Sequence, residues 1–336
     1  MGSNKLFKEC MMDHWFPVEW SHKVRKKPRG IVLNGTPLVL FRANRDIQVL
    51  SDRCPHRGAP LSKGSVKEGC ITCPYHGWRF DGNGTCRLIP GLNCYSSKEI
   101  HRAQAYKAEE KYGLIWVCLN TEAKCNIPDI SIKKNEKNFH FTTLVQSSLK
   151  DVVENALDPL HTHFIHSGLI RSDGERKPIN IKMHIDKDRI QATYCNEVKQ
   201  QGWIYKILSF GHQVDKSFGR FIHPSLFQIE FETIGKRRLL INGFLSPINE
   251  ECSKIFLISS TDVFIPNYIF KIFVKPLFVL AMKQDKKILE IKAKHQQACG
   301  VGKEVSTEGD LFGPYLDLLL QGKELVKKEY EVELYV

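Results

Sequence analysis

The sequence predicts an α+β chain of two domains: residues 1–130 form an all-β module, and residues 131–336 form an antiparallel sheet with long C-terminal helices. Three observations predict it. The first 120 residues break into short Val-, Ile- and Leu-rich runs separated by turn residues. The second half carries longer strand-like runs and closes on two long helical patterns. Between the halves, across Ala123–Asn138, apolar periodicity fades into Lys, Asn and Pro.

In the first domain Thr36–Arg42, Asp46–Ser51, Gly69–Cys73 and Gly113–Asn120 read as strands. Asn34-Gly35 and Asp81-Gly82-Asn83-Gly84 read as turns, because Asn, Asp and Gly accept the backbone angles of a tight reversal. The second domain opens with a strand-like run, Phe139–Ser147, and a helical segment from about Leu149 to His163. Strands are expected at Ile179–Ile185, Arg189–Cys195, Trp203–Ser209, Leu226–Thr233, Arg238–Leu245 and Lys254–Val263. Helices are expected over about Tyr268–Gln297 and Thr307–Tyr330. Pro276 should kink or split the first, since it lacks an N–H and crowds the preceding turn.

The chain has 336 residues, 42% hydrophobic, enough for two real cores. Its formal net charge of +12 suits an acidic partner. The one basic run, Lys23 to Arg29, is short, and no nucleic-acid-binding motif accompanies it, so nucleic acid is excluded as a partner. Eleven cysteines, an odd number and mostly scattered singly, form no disulfide framework; this points to a reduced, cytoplasmic setting. No signal peptide is expected, because residues 1–20 lack an uninterrupted apolar run. Residues 264–282 are apolar but hold Lys271, Lys275, Pro266 and Pro276. They read as a packed or surface-docked helix rather than a membrane span, and shallow membrane contact through the apolar face stays open.

Two loops carry ligand-type residues. Cys54-Pro55-His56 is followed, 16 residues later, by Cys73-Pro74-Tyr75-His76. Each loop offers one thiolate and one imidazole. Two of each is the donor set of a Rieske 2Fe–2S cluster, in which two His replace two Cys on one iron and raise the potential. A structural zinc site is the competing reading, since Cys70 and Cys73 form a C-x-x-C; a zinc ribbon would want a second such pair. In their flanks, Cys54-Pro-His-Arg-Gly-Ala-Pro-Leu and Cys73-Pro-Tyr-His-Gly-Trp resemble the Rieske non-haem iron oxygenases, as do Trp15-Phe-Pro-Val and Tyr112-Gly-Leu-Ile-Trp-Val.

That resemblance implies a Rieske module followed by a helix-grip (START-like) catalytic domain with a mononuclear Fe(II). The segment Asn155-x-x-Asp158-x-x-His161-x-x-x-x-His166 is similar to the family's iron-binding motif, so His161 and His166 are the implied ligands. Spacing alone does not select them. His163 and His166 could share a helical face, whereas His161 and His166 could not unless the helix ends or distorts, with Pro159 at hand to cause it. For the carboxylate of a 2-His-1-carboxylate site, Asp285 stands where the apolar stripe Val274, Phe278, Ala281, Ile288, Leu289 wants an apolar residue. Gln284-Asp285 also resembles the family segment that carries the third ligand; Glu290 and Asp310 are the alternatives.

The resemblance further implies a homotrimer in which Asp158 links His76 of one subunit to His161 of another. O2 and a small hydrophobic substrate would meet at the iron. Electrons would come from a separate NAD(P)H-dependent reductase or ferredoxin, since the chain has no dinucleotide fingerprint. The motif is closest to the monooxygenase, demethylase and pheophorbide-oxygenase-like branch. Hydroxylation, oxidative dealkylation and dihydroxylation all stay open. So does an electron-transfer or ligand-binding protein without oxygenase activity.

Overall fold

The computed structural model describes residues 11–92, 98–120, 126–131, 136–171, 176–195, 214–233, 238–262, 266, 268, 270–300, 302 and 304–336. The chain divides into two compact units, one spanning Lys8–Ile127 and the other running from Pro128 to Val336.

The first unit is built of short strands: β1 (Trp15–Trp20), β2 (Arg29–Leu33), β3 (Thr36–Ala43), β4 (Asp46–Ser51), β5 (Ser65–Lys67), β6 (Cys70–Thr72), β7 (Arg79–Phe80), β8 (Cys86–Leu88), β9 (Ala105–Lys111) and β10 (Leu114–Cys118). They form a six-stranded sheet, β1-β10-β9-β4-β3-β2, and a four-stranded one, β5-β6-β7-β8. The β2–β3 reversal at Asn34-Gly35 has positive φ at both residues, 48° and 75°, the geometry that matches strand twist in a two-residue hairpin. Val39, Phe41, Leu50, Ile71 and Phe80 form a common core, and Cys54 and Cys73 belong to it.

The second unit is one antiparallel sheet with few helices. Its elements are β11 (Lys137–Val145), α1 (Leu149–Leu157), α2 (Thr162–Ile165), β12 (Pro178–Asp186), β13 (Arg189–Cys195), β14 (Val214–Ile222), β15 (Leu226–Thr233), β16 (Arg238–Asn249), β17 (Cys252–Thr261), α3 (Lys275–Cys299), α4 (Gly313–Leu320) and β18 (Lys328–Tyr335). The strand order is β11-β17-β16-β15-β14-β13-β12-β18. Ile229 and Phe231 of β15, Leu239 and Ile241 of β16, and Ile255 and Leu257 of β17 point to one face, as the two-residue period requires. Phe278, Ala281, Asp285 and Leu289 form the buried side of α3.

Three expectations need correction. The closing helix expected over Thr307–Tyr330 is only α4, and residues 328–335 are a strand. Gly322, at φ 75°, takes the chain out of the helical region. Beyond it the glutamates alternate, and Glu331 and Glu329 sit opposite Lys182 and His184 across the β12–β18 ladder. The unit therefore has one long C-terminal helix rather than two. The helix from Leu149 ends at Leu157, with Asp158 extended at its C-cap. Finally, β14 was not anticipated: its period is diluted by Gly219, where a Cβ would lie 3.5–3.6 Å from Phe312, Leu157 and Tyr194. The expected strand Trp203–Ser209 lies outside the described residues.

Pro276 sits in the first turn of α3, where its missing N–H costs nothing, and residues 270–274 before it form a π-helical turn. Among the described residues no helix is long and apolar enough to cross a membrane.

Candidate metal centres

The two loops of the first unit fold alike. In one, Cys54 N–H donates to Ala59 O (2.9 Å) and Gly58 N–H to Cys54 O (2.8 Å); in the other, Cys73 N–H donates to Trp78 O (2.8 Å) and Gly77 N–H to Cys73 O (3.2 Å). Both follow Cys-Pro-x-x-Gly. Gly58 and Gly77 have φ of 73° and 70°, a conformation that strains a residue with a Cβ, so the repeated glycine is what closes each turn. Each turn buries its thiol and leaves its imidazole exposed. His56 and His76 meet at the tip with ring centroids 4.7 Å apart, and Trp78 stacks on His56 at 4.7 Å.

Burial, together with the neighbouring Cys73 thiol, pushes the Cys54 thiol up to about 11, against the pull of backbone amides. The Cys54 thiol, buried beside a second sulfur, therefore resists ionisation unless a cationic metal compensates it. The donor set, with two sulfurs inward and two imidazoles outward, fits a cluster of the Rieske type.

The second site is built at the break between α1 and α2. Asp158 makes the break: its carboxylate accepts from Leu160 N–H (2.7 Å) and His161 N–H (3.1 Å), a local cap. The ensuing turn brings His161 and His166 together, ring centroids 5.2 Å apart, despite their five-residue spacing. α3 supplies Asp285, whose Oδ1 lies 2.9 Å from His166 Nε2 and 3.4 Å from His161 Nε2. The three ligand atoms lie within 4.8 Å of one another, a group that could hold a metal ion.

The polar atoms around this group orient it. His161 Nδ1 faces the main-chain oxygen of Asp158 (2.6 Å) and His166 Nδ1 faces Gln284 Oε1 (2.9 Å). Both oxygens can only accept, so each Nδ1 carries a proton, and each Nε2 is left facing Asp285, where a bound proton or a metal ion can sit between them. Asn155 Nδ2 donates to Asp285 Oδ1 (2.9 Å). Burial raises the Asp285 carboxyl, but hydrogen bonds and charge from the two histidines prevail and hold it at about 2. Burial lowers His161, but Asp158 and Asp285 outweigh it and raise it to about 9. The pocket favours a cation between its imidazoles and carboxylate.

The alternatives lie elsewhere. His163 is buried with Arg171, 3.4 Å from its Nη1. Glu290 accepts from Gln146 N–H, and Asp310 caps a turn at Thr307. The orienting contacts of Gln284 and Asn155 were not read from the sequence. The adjacency of Gln284 to Asp285 was the available signal for the first.

The triad opens onto a cavity of about 210 Å³ between the sheet and helices α1 and α3, lined mainly by Phe227, Ile229, Phe231, Ile241, Leu257 and Phe278. Above it on α1, burial raises the Glu154 carboxyl to about 7 despite Lys150. A folded-state value above the ordinary one means that stability is full below about pH 4.5 and falls as pH rises through about 7. Glu154→Gln should thus match the parent in urea denaturation at about pH 4 and exceed it by about 1 kcal/mol at about pH 8, discounting for partial exposure.

Comparison with known proteins agrees with this geometry. Residues 14–106 match the family model of the Rieske 2Fe-2S domain, and residues 145–313 match that of the vanillate O-demethylase oxygenase C-terminal domain. Chlorophyllide a oxygenase of Chlamydomonas reinhardtii is 31% identical over 192 residues, 56% of this chain and 29% of the relative. Methylxanthine N1-demethylase NdmA of Pseudomonas putida is 30% identical over 191 residues, 52% of this chain and 53% of the relative. The matched region thus spans about half or less of these relatives. Dicamba monooxygenase, solved with 3,6 dichlorosalicylic acid, shares the fold at a TM-score of 0.81 and 22% identity, covering 93% of this chain and 98% of that one.

Proposed function

The chain belongs to the Rieske non-haem iron oxygenases, and on that premise we propose that it is a terminal oxygenase component that uses O2 to hydroxylate or oxidatively dealkylate a hydrophobic small molecule. Its cofactors are a Rieske 2Fe–2S cluster and mononuclear iron. We assign the cluster to Cys54, His56, Cys73 and His76, and the iron to His161, His166 and Asp285. The observation that carries the reading is the convergence of two Nε2 atoms and one carboxylate oxygen at the wall of an apolar cavity. An electron-transfer protein without oxygenase activity has no use for that arrangement.

When bound, the cluster supplies electrons singly and the iron activates O2. The chain's own residues set the conditions. Asp158 and Gln284 fix the imidazole tautomers, and Asn155 holds Asp285 by one oxygen. The phenylalanine and branched side chains exclude water and select an apolar substrate by shape. Replacing Gln284 with leucine should weaken metal binding by roughly ten- to a hundredfold, read by titrating metal-free protein with Co(II).

Asp158 has a second role in this proposal. Its half-exposed carboxylate, 3.6 Å from His161 Nδ1, would link that histidine to His76 of the partner subunit in a homotrimer. The donor is a separate reductase or ferredoxin, to which a net charge of +12 is complementary. None of the eight described cysteines is paired in a disulfide, in keeping with a cytoplasmic setting.

The test is O2 uptake with a surrogate reductase against a panel of aromatic, steroid and alkaloid compounds. At least one class should stimulate uptake and yield a hydroxylated or dealkylated product. Uptake that yields only peroxide across the panel would contradict the proposal.

A further inference from the structure

The helix that carries Asp285 has a second face. At 100° per residue, Phe273 in the preceding turn and Leu280, Ile288 and Ile291 of α3 fall together on its outer side. They are 62, 47, 40 and 52% exposed. Phe278, Ala281 and Leu289 occupy the buried side. Lys283, Lys287 and Lys294 run along one border of the outer stripe, exposed, and none forms an ion pair with a described residue. Lysines at the edge of an exposed apolar stripe, on a helix not apolar enough to cross a bilayer, are the composition of a helix that lies in a lipid interface.

We propose that this face docks the protein on an anionic lipid surface, with α3 in the plane of the interface. The stripe would enter the boundary between headgroups and acyl chains, and the three lysines would meet the lipid phosphates. The net charge of +12 adds a long-range attraction of the same sign. Two copies packing antiparallel through this face would set one lysine row against the other, which disfavours that form of self-association. The docking surface does not depend on the oxygenase reading. Resting on that reading, it makes lipid-dissolved compounds the substrate class, since the inner side of the same helix lines the cavity.

The test is sedimentation of the holoprotein with vesicles of phosphatidylcholine alone or with about one third phosphatidylglycerol. The protein should sediment with the second kind only and be released by raised salt. Phe273→Ser with Leu280→Ser, and separately Lys283→Gln with Lys287→Gln and Lys294→Gln, should each weaken binding about tenfold. Cluster absorbance and oligomeric state should not change. The proposal is overturned by absence of binding, by equal binding to both vesicle types, or by binding that neither set of variants reduces. Dissociation of the oligomer by the serine pair would also overturn it, assigning the stripe to a second copy. Loss of turnover leaves this readout untouched, so the two readings fail separately.

Discussion

Asp285→Ala lowers substrate oxidation by roughly a thousandfold or more while the reduced protein keeps its Rieske EPR signal. The expectation follows from the position of one oxygen. Asp285 Oδ1 faces both His166 Nε2 and His161 Nε2, and it also accepts from Asn155. Alanine leaves two neutral imidazoles, a weaker site that offsets none of the Fe(II) charge. The folded unit should survive, because removing a buried carboxylate also removes its desolvation cost. Metal analysis of the variant should show the mononuclear iron gone and inorganic sulfide unchanged. Turnover at the parent rate would mean that another carboxylate, Glu290 or Asp310, does this work.

Cys73→Ser has the other large effect: loss of the cluster, of reductase-dependent oxidation, and of stability in the first unit. Cys73 is buried in the core cluster with Ile71 and Phe80, and its turn positions His76 and Trp78. A serine hydroxyl is a poor ligand for iron in place of thiolate and is buried there without a charge-compensating partner. Ligation and folding are coupled, so the loss should amount to about 3 kcal/mol or more in the denaturation of the first unit. The second unit should still bind Co(II) at His161, His166 and Asp285. A variant that retained the Rieske signal would remove Cys73 from the ligand set.

Much of this was legible in the residues, and the failures have physical causes. The two ligand loops were visible because each carries one cysteine and one histidine, whereas the left-handed glycine that closes both turns emerged from the fold. Asp285 was visible because a carboxylate interrupts an apolar stripe, and α3 does bury it. The pairing of His161 with His166 was not readable from helical spacing, since it depends on Asp158 ending α1 and capping the next turn. That is a tertiary consequence of local side-chain chemistry, and only the family resemblance pointed to it. The helix expected over Thr307–Tyr330 ran into the start of the strand at 328–335, although there Tyr330, Val332 and Leu334 alternate with Glu329, Glu331 and Glu333, a two-residue period that a helical reading passes over. The Gln284 contact lies 118 residues from its histidine along the chain, beyond any local pattern.

The central claim is that one chain holds two separate iron centres, one on the Cys–His loops and one on His161, His166 and Asp285. Iron and acid-labile sulfide analysis of the anaerobically purified protein tests it most directly. The account predicts about three iron atoms and about two sulfides per chain. Equal iron and sulfide, unchanged on adding Fe(II), or zinc in place of both, would contradict it.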